Sequence, residues 1–179
     1  EEVVCAKGTL IEVKNLFYAY SGALTYLFVF ISLITFIFAE QFVILVSGYQ
    51  YLNPESATFN IVTLVRIFSV YGILLPIDRM TGIGLDSINK PNINAIKVFV
   101  MLLTNIIGDI ISVFVFESLE MVAISTLIFT SVGIGMGSYF LNKEFEISTV
   151  EIFKTGNMFY KSLWKQFSTA SKGFKFSNN

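Results

Sequence analysis

The chain has 179 residues, 54% of them hydrophobic and only 14% charged, with a mean hydropathy of +0.70. Soluble domains carry about 25% charged residues, so this chain is too poor in charge to clothe a soluble core, and its class is membrane protein. A net charge of −1, no histidine and one cysteine, Cys5, exclude an internal disulfide and give no bulk attraction to nucleic acid. They also remove the usual zinc ligand and the usual general base at neutral pH.

The first residues, EEVVC, hold no initiator Met, no basic n-region and no signal-like apolar region, which is the expectation for a piece of a longer protein. Leu16–Phe38, LFYAYSGALTYLFVFISLITFIF, carries no charge and is the first predicted span. After SGYQYL, Asn53-Pro54 predicts a break. The second span is predicted over 58–77, interrupted by Arg66, with Pro76 kinking or ending the regular helix. Asp86–Asn94, DSINKPNIN, is predicted as a loop on its turn residues. The third span, 98–116, contains Asp109, and the fourth, 119–141, has Glu120 at its mouth. Each stretch is near the ~20 residues that a spanning helix needs. Open sheet edges are forbidden in lipid and no ten-residue alternation is present, so the fold class is an all-α polytopic membrane helix bundle.

From residue 144 the character changes. Ile152–Phe167, IFKTGNMFYKSLWKQF, spaces Lys154, Lys161 and Lys165 among aromatics. Phe153, Phe159/Tyr160, Leu163/Trp164 and Phe167 share a face at helical spacing, which predicts an interfacial amphipathic helix against anionic lipid. The last stretch, STASKGFKFSNN, is predicted to be disordered. The chain thus divides into a four-span segment, 1–143, and a basic tail, 144–179.

Basic residues are unevenly placed. The connections 46–57 and 117–120 hold no Lys or Arg, whereas Lys7, Lys14, Arg79, Lys90, Lys97, Lys143 and the tail lysines fall on the other side. The positive-inside rule makes that side cytoplasmic, with both ends of the chain there. Arg66 alone lies in the outer half of the membrane, roughly 13 Å deep at helical rise.

Charges at membrane depth cost about 2.5–3.5 kcal/mol or more and face a bundle interior or a watery cavity. Arg66 has two readings, an anion contact in a cavity or a structural partner of Asp109. Asn105 and Asp109, at i and i+4, share one helix face, either on a transport path or as interhelical glue. Asp78 and Arg79 follow Pro76 near the inner boundary, where Arg79 is either a cavity residue or a topology anchor. The glycines of GIGMG follow no strand, so Gly133-x-x-x-Gly137 is expected to be a packing face and not a phosphate loop. No catalytic residue, cofactor or metal is expected, and the chain is not expected to be an enzyme.

The order SGYQYL, a long span with Arg66, LDSINKPNINAIKV, LLTNIIGDIISVF, then VAISTLIFTSVG resembles the C-terminal part of Wzx-type polysaccharide flippases. The corresponding elements are Gly-x-x-Tyr at Gly48–Tyr51, the Lys-Pro loop at Ser87–Asn94, Asn105, and Ala-x-x-Thr at Ala123–Thr126. The resemblance runs from Leu16 to Lys143. It implies part of one lobe of the multidrug/oligosaccharidyl-lipid/polysaccharide transporter fold, with the remaining helices, including an N-terminal lobe, as partners. It further implies passage of undecaprenyl-pyrophosphate-linked oligosaccharide across a bacterial cytoplasmic membrane in surface polysaccharide biosynthesis. Arg66, Asp109, Asn105 and Arg79 are then candidate contacts of the lipid-linked glycan, Arg66 as a pyrophosphate contact. The chain departs from full-length members in having four spans instead of many. A drug or cation antiporter of the same superfamily, and a non-transporting assembly subunit of a polysaccharide synthesis complex, are the alternatives.

Overall fold

The computed structural model describes residues 2–52, 60–144 and 146–176, with side chains over 11–52, 60–144, 146–148 and 150–166. Among the described residues, every regular element is helical: α1 (Glu2–Ile37), α2 (Ala39–Ser47), a 3₁₀ turn (Tyr49–Leu52), α3 (Ile61–Ser87), α4 (Pro91–Phe114), α5 (Leu119–Asn142) and α6 (Thr149–Phe176). Four segments are long and apolar enough to cross a membrane: Ile11–Ile37, Ile61–Ser87, Pro91–Phe114 and Leu119–Asn142. The chain is an all-α, multi-pass membrane bundle.

The helix ends follow from local chemistry. Backbone bonds from Phe38 to Ile34 and from Phe42 to Phe38, both 2.9 Å, carry the helical ladder from α1 into α2. The rod stops at Gly48, whose φ of +92° suits glycine. α3 starts at Ile61 because the Asn60 side chain accepts the Thr63 N–H at 3.2 Å. The predicted start at 58 and the Asn53-Pro54 break lie outside the described residues.

Of the two outcomes expected at Pro76, a kink or an end, the second does not occur: α3 continues to Ser87, 27 residues or roughly 40 Å. A proline frees one carbonyl, which a spanning helix tolerates where neighbours pack around it, and Pro76 is itself buried. The predicted loop 86–94 contracts to three residues. Asn89 takes φ +59°, the Lys90 N–H bonds to Leu85 O and the Asn89 N–H to Asp86 O. This paired pattern closes a helix, and Pro91 opens α4 at its first turn.

At the opposite end Ser118 caps α5, its hydroxyl accepting the Met121 N–H at 3.4 Å. Glu120 is more than a solvated turn residue. It accepts the Asn60 N–H at 2.9 Å and the Ser118 hydroxyl at 2.8 Å, and so ties the start of α3 to the start of α5.

Laterally the helices lie in the order α4, α5, α3, α1, α6. α3 and α4 are consecutive yet pack sparsely on each other, because α5 lies against both. α5 fits there because Gly137 has no side chain: a Cβ would come within 2.6 Å of Thr81 on α3. Gly133 likewise admits Met101 of α4, so Gly133-x-x-x-Gly137 is the close-packing face expected of it. Buried hydroxyls at Ser21, Thr25 and Ser32 of α1 and Ser69 of α3 belong to the same small-residue style of packing. A cluster of Phe17, Tyr18, Met80, Leu85, Leu141 and Ile152 closes the end of the bundle that carries Lys14, Lys90 and Lys143.

α6 departs from expectation in two ways. It continues to Phe176, through most of the segment predicted to be disordered. Its apolar face is also docked on α1. Ile152 and Gly156 are buried, and a Cβ on Gly156 would come 2.5 Å from Gly22 O, so two glycines let the backbones touch. The Tyr18 hydroxyl donates to Glu146 O and accepts the Ser148 N–H, and the Tyr160 hydroxyl donates to Ala23 O, each at 2.9 Å. Of the face predicted to meet lipid, Tyr160 and Phe153 lie around Tyr26 of α1.

Candidate functional site

Because α3 and α4 diverge above α5, a groove of about 370 Å³ opens between them. Tyr71, Leu75, Asp78 and Arg79 line it from α3, Val98, Met101, Leu102 and Asn105 from α4, and Phe129 and Thr130 from α5. The α3 and α4 positions recur at three- and four-residue spacing, so each wall is one helix face. Most of the surface is apolar; Asp78, Arg79, Asn105 and Thr130 are among its polar side chains.

Beside this groove lies the most buried charge among the described residues. Lys97 of α4 is 2% exposed, and its ammonium sits 2.7 Å from Asp78 Oδ1. That approach is close but poorly directed, an ion pair more than a hydrogen bond. The ammonium also donates to Asp78 O and to Thr81 Oγ1, each at 3.0 Å, while the Thr81 hydroxyl donates to Asp78 O at 2.8 Å. Two hydrogen-bond acceptors and one ion-pair partner thus surround the ammonium, and a buried lysine is tolerated when it is paired and hydrogen-bonded in this way. Asp78 lies ten residues before Ile88 and Lys97 seven after Lys90, so the hairpin brings them to matching depth.

This moves one boundary. Lys97, counted with the basic side and placed just before a span predicted to start at 98, is the seventh residue of α4 and buried. The signal was present: a Lys-Pro with proline in the first helical turn starts α4 at 91, not at the first residue beyond the last charge.

The sequence-predicted residues separate. Arg79 and Asn105 line the groove together with Asp78. Arg79 is exposed and forms no ion pair among the described residues. Arg66 stands elsewhere. It is the sixth residue of α3, about 8 Å from the helix start and shallower than expected. Its guanidinium is 3.5 Å from Glu40 of α2 and 6.0 Å from the centre of the Phe36 ring. The expected partnership of Arg66 with Asp109 is therefore absent. Asp109 accepts the Ser125 hydroxyl at 2.6 Å, an α4–α5 bond, because Gly108 brings the two helices close enough for that reach. The shared face of Asn105 and Asp109 divides accordingly, one residue on the groove and one in a helix contact.

Among the described residues, no group of three His, Cys, Asp or Glu side chains is placed to hold a metal ion. Comparison with protein-family models, with curated proteins and with solved structures finds no match.

Proposed function

We propose that this chain is part of a membrane transporter that moves a lipid-linked, anionic oligosaccharide, of the kind handled by Wzx-type flippases, across a bacterial cytoplasmic membrane. Both ends of the described chain would then face the cytoplasm, as the distribution of lysines favours. The reading is carried by the groove. Lys97 and Asp78 neutralise each other beside it, which leaves the Arg79 guanidinium as its net charge. A forked cation beside an apolar groove suits a phosphate group attached to a lipid. Asn105 adds a neutral hydrogen-bonding group on the facing wall.

The antiporter alternative would rely on a groove carboxylate, and Asp78, not Asp109, is the one in that position. Arg79→Ala and Arg79→Lys, made in the full-length gene, distinguish the readings. Surface polysaccharide should fall with Ala, at unchanged protein level, and recover in part with Lys. Normal export by both variants would remove the groove from the path. Altered drug susceptibility with intact polysaccharide would favour the antiporter. Insensitivity of both readouts, with loss of polysaccharide on deleting α6, would favour a non-transporting assembly role.

A further inference from the structure

The contacts of α6 with α1 advance along both helices. Glu146 and Ser148 meet Tyr18, Ile152 and Gly156 meet Gly22, and Phe153 and Tyr160 meet Tyr26. The helix therefore runs beside α1 in the same direction, into the bundle. Phe17 and Leu141 meet at Gly84, in the last turns of α5 and α3, so Tyr18 stands at the basic end. Tyr26 lies eight residues or about 12 Å further in, and is the sixteenth of the 27 residues of the first span. Lys161, Trp164 and Lys165 follow Tyr160 along the helix and are carried to that mid-span level.

We propose that the face of α6 turned away from α1 is a docking seam, at membrane depth, for a further helix that carries carboxylates. Ile152 and Gly156 are buried on α1, and opposite them Lys154, Lys161 and Lys165 are all exposed. Seven and four residues apart, these lysines share a sector of roughly 40° at helical periodicity. Lys154 and Lys161 form no ion pair among the described residues. Met158 and Trp164, 55% and 79% exposed, flank the stripe. Acyl chains suit these two and not the lysines; water suits the lysines and not these two. A helix with carboxylates and apolar groups covers both. At the other edge of the row, α4 exposes Phe99, Leu103, Ile107 and Ile110, a face for lipid. A second copy of the chain fits poorly: two α6 faces would set lysine against lysine, and Asp78 and Asp109, the acids inside α3 and α4, are engaged by Lys97 and Ser125. The seam is remote from the α3–α4 groove and does not depend on it.

Trp164 is the only tryptophan of the chain and reports on this face. The full chain is reconstituted in phosphatidylcholine vesicles with a synthetic membrane-spanning peptide of Leu and Ala, dansyl-labelled at its centre. One peptide carries three Glu at the spacing of the lysines, and a second carries Gln at the same places. Energy transfer from Trp164 should show the Glu peptide bound about tenfold more tightly, the gain of one or two interhelical polar bonds. Lys154→Gln with Lys161→Gln should abolish the preference at unchanged helix content. Lys154→Glu with Lys161→Glu should transfer it to a peptide with three Lys, a gain that misfolding does not produce. Equal binding of the Glu and Gln peptides would overturn the proposal, as would a preference that survives either pair of substitutions. Three other results would also overturn it. Acrylamide quenching of Trp164 that neither peptide reduces would make the stripe the wall of an aqueous cavity. A response to phosphatidylglycerol and to neither peptide would return it to the headgroups. Transfer between copies of the chain, in place of transfer to the peptide, would assign it to a second copy.

Discussion

Beside the Lys90–Glu144 pair at the basic end, two ion pairs lie toward opposite ends of the bundle, and they differ in distance, exposure and surroundings. Lys97 and Asp78 meet at 2.7 Å with side chains 2% and 14% exposed; Arg66 and Glu40 meet at 3.5 Å with side chains 43% and 59% exposed. The first pair lies in a hairpin and adds a carbonyl and a hydroxyl to its lysine. The second joins two long side chains and leans on an aromatic ring. By sequence the arginine appears the exceptional charge and the lysine ordinary. Packing reverses this, because solvation and not residue type sets the energy of a charge.

The largest expected effect comes from breaking the inner pair. Lys97→Met leaves Asp78 uncompensated and should lower stability by about 3–5 kcal/mol, measured by denaturant unfolding in micelles. Adding Asp78→Leu should restore most of the loss, since two apolar groups replace two buried charges. Additive losses in the double variant would deny the coupling. Next is Gly137→Val, which pushes a side chain into Thr81 under the pair and should cost about 1–3 kcal/mol. Arg66→Ala should cost less than about 1 kcal/mol, as exposed pairs do. A loss as large as that of Lys97→Met would erase the distinction between the two ends.

The elements that sequence alone made legible are those governed by composition. Four apolar stretches became four long helices, and the glycine spacing in α5 became a packing face. Charges next to a proline were harder to place. Pro76 was expected to kink or end a helix that tertiary packing carries through, and the lysine of INAIKVF was placed outside the third span although proline chemistry starts α4 six residues before it. Arg66 and Asp109 could be paired on paper because each is an isolated charge in an apolar run. Their actual partners, Glu40 and Ser125, are set by the packing of α2 on α3 and a close approach at Gly108, and neither leaves a periodic trace. Arg79 and Asn105 were both named as candidates, but that they face the same groove depends on α5 holding α3 and α4 apart.

The three-residue turn at Ile88–Lys90 bears on how the charges enter the membrane. Asp78 and Lys97 are only 19 residues apart, and the left-handed Asn89 followed by Pro91 folds the chain back between them. The pair needs no helix beyond α3 and α4 in order to form. A hairpin that leaves the insertion machinery as a unit thus presents lipid with a dipole instead of two ions. Thr81, on the same hairpin, completes the shell before α5 is made. Gly137 then needs only to seat against an arm that is already neutral.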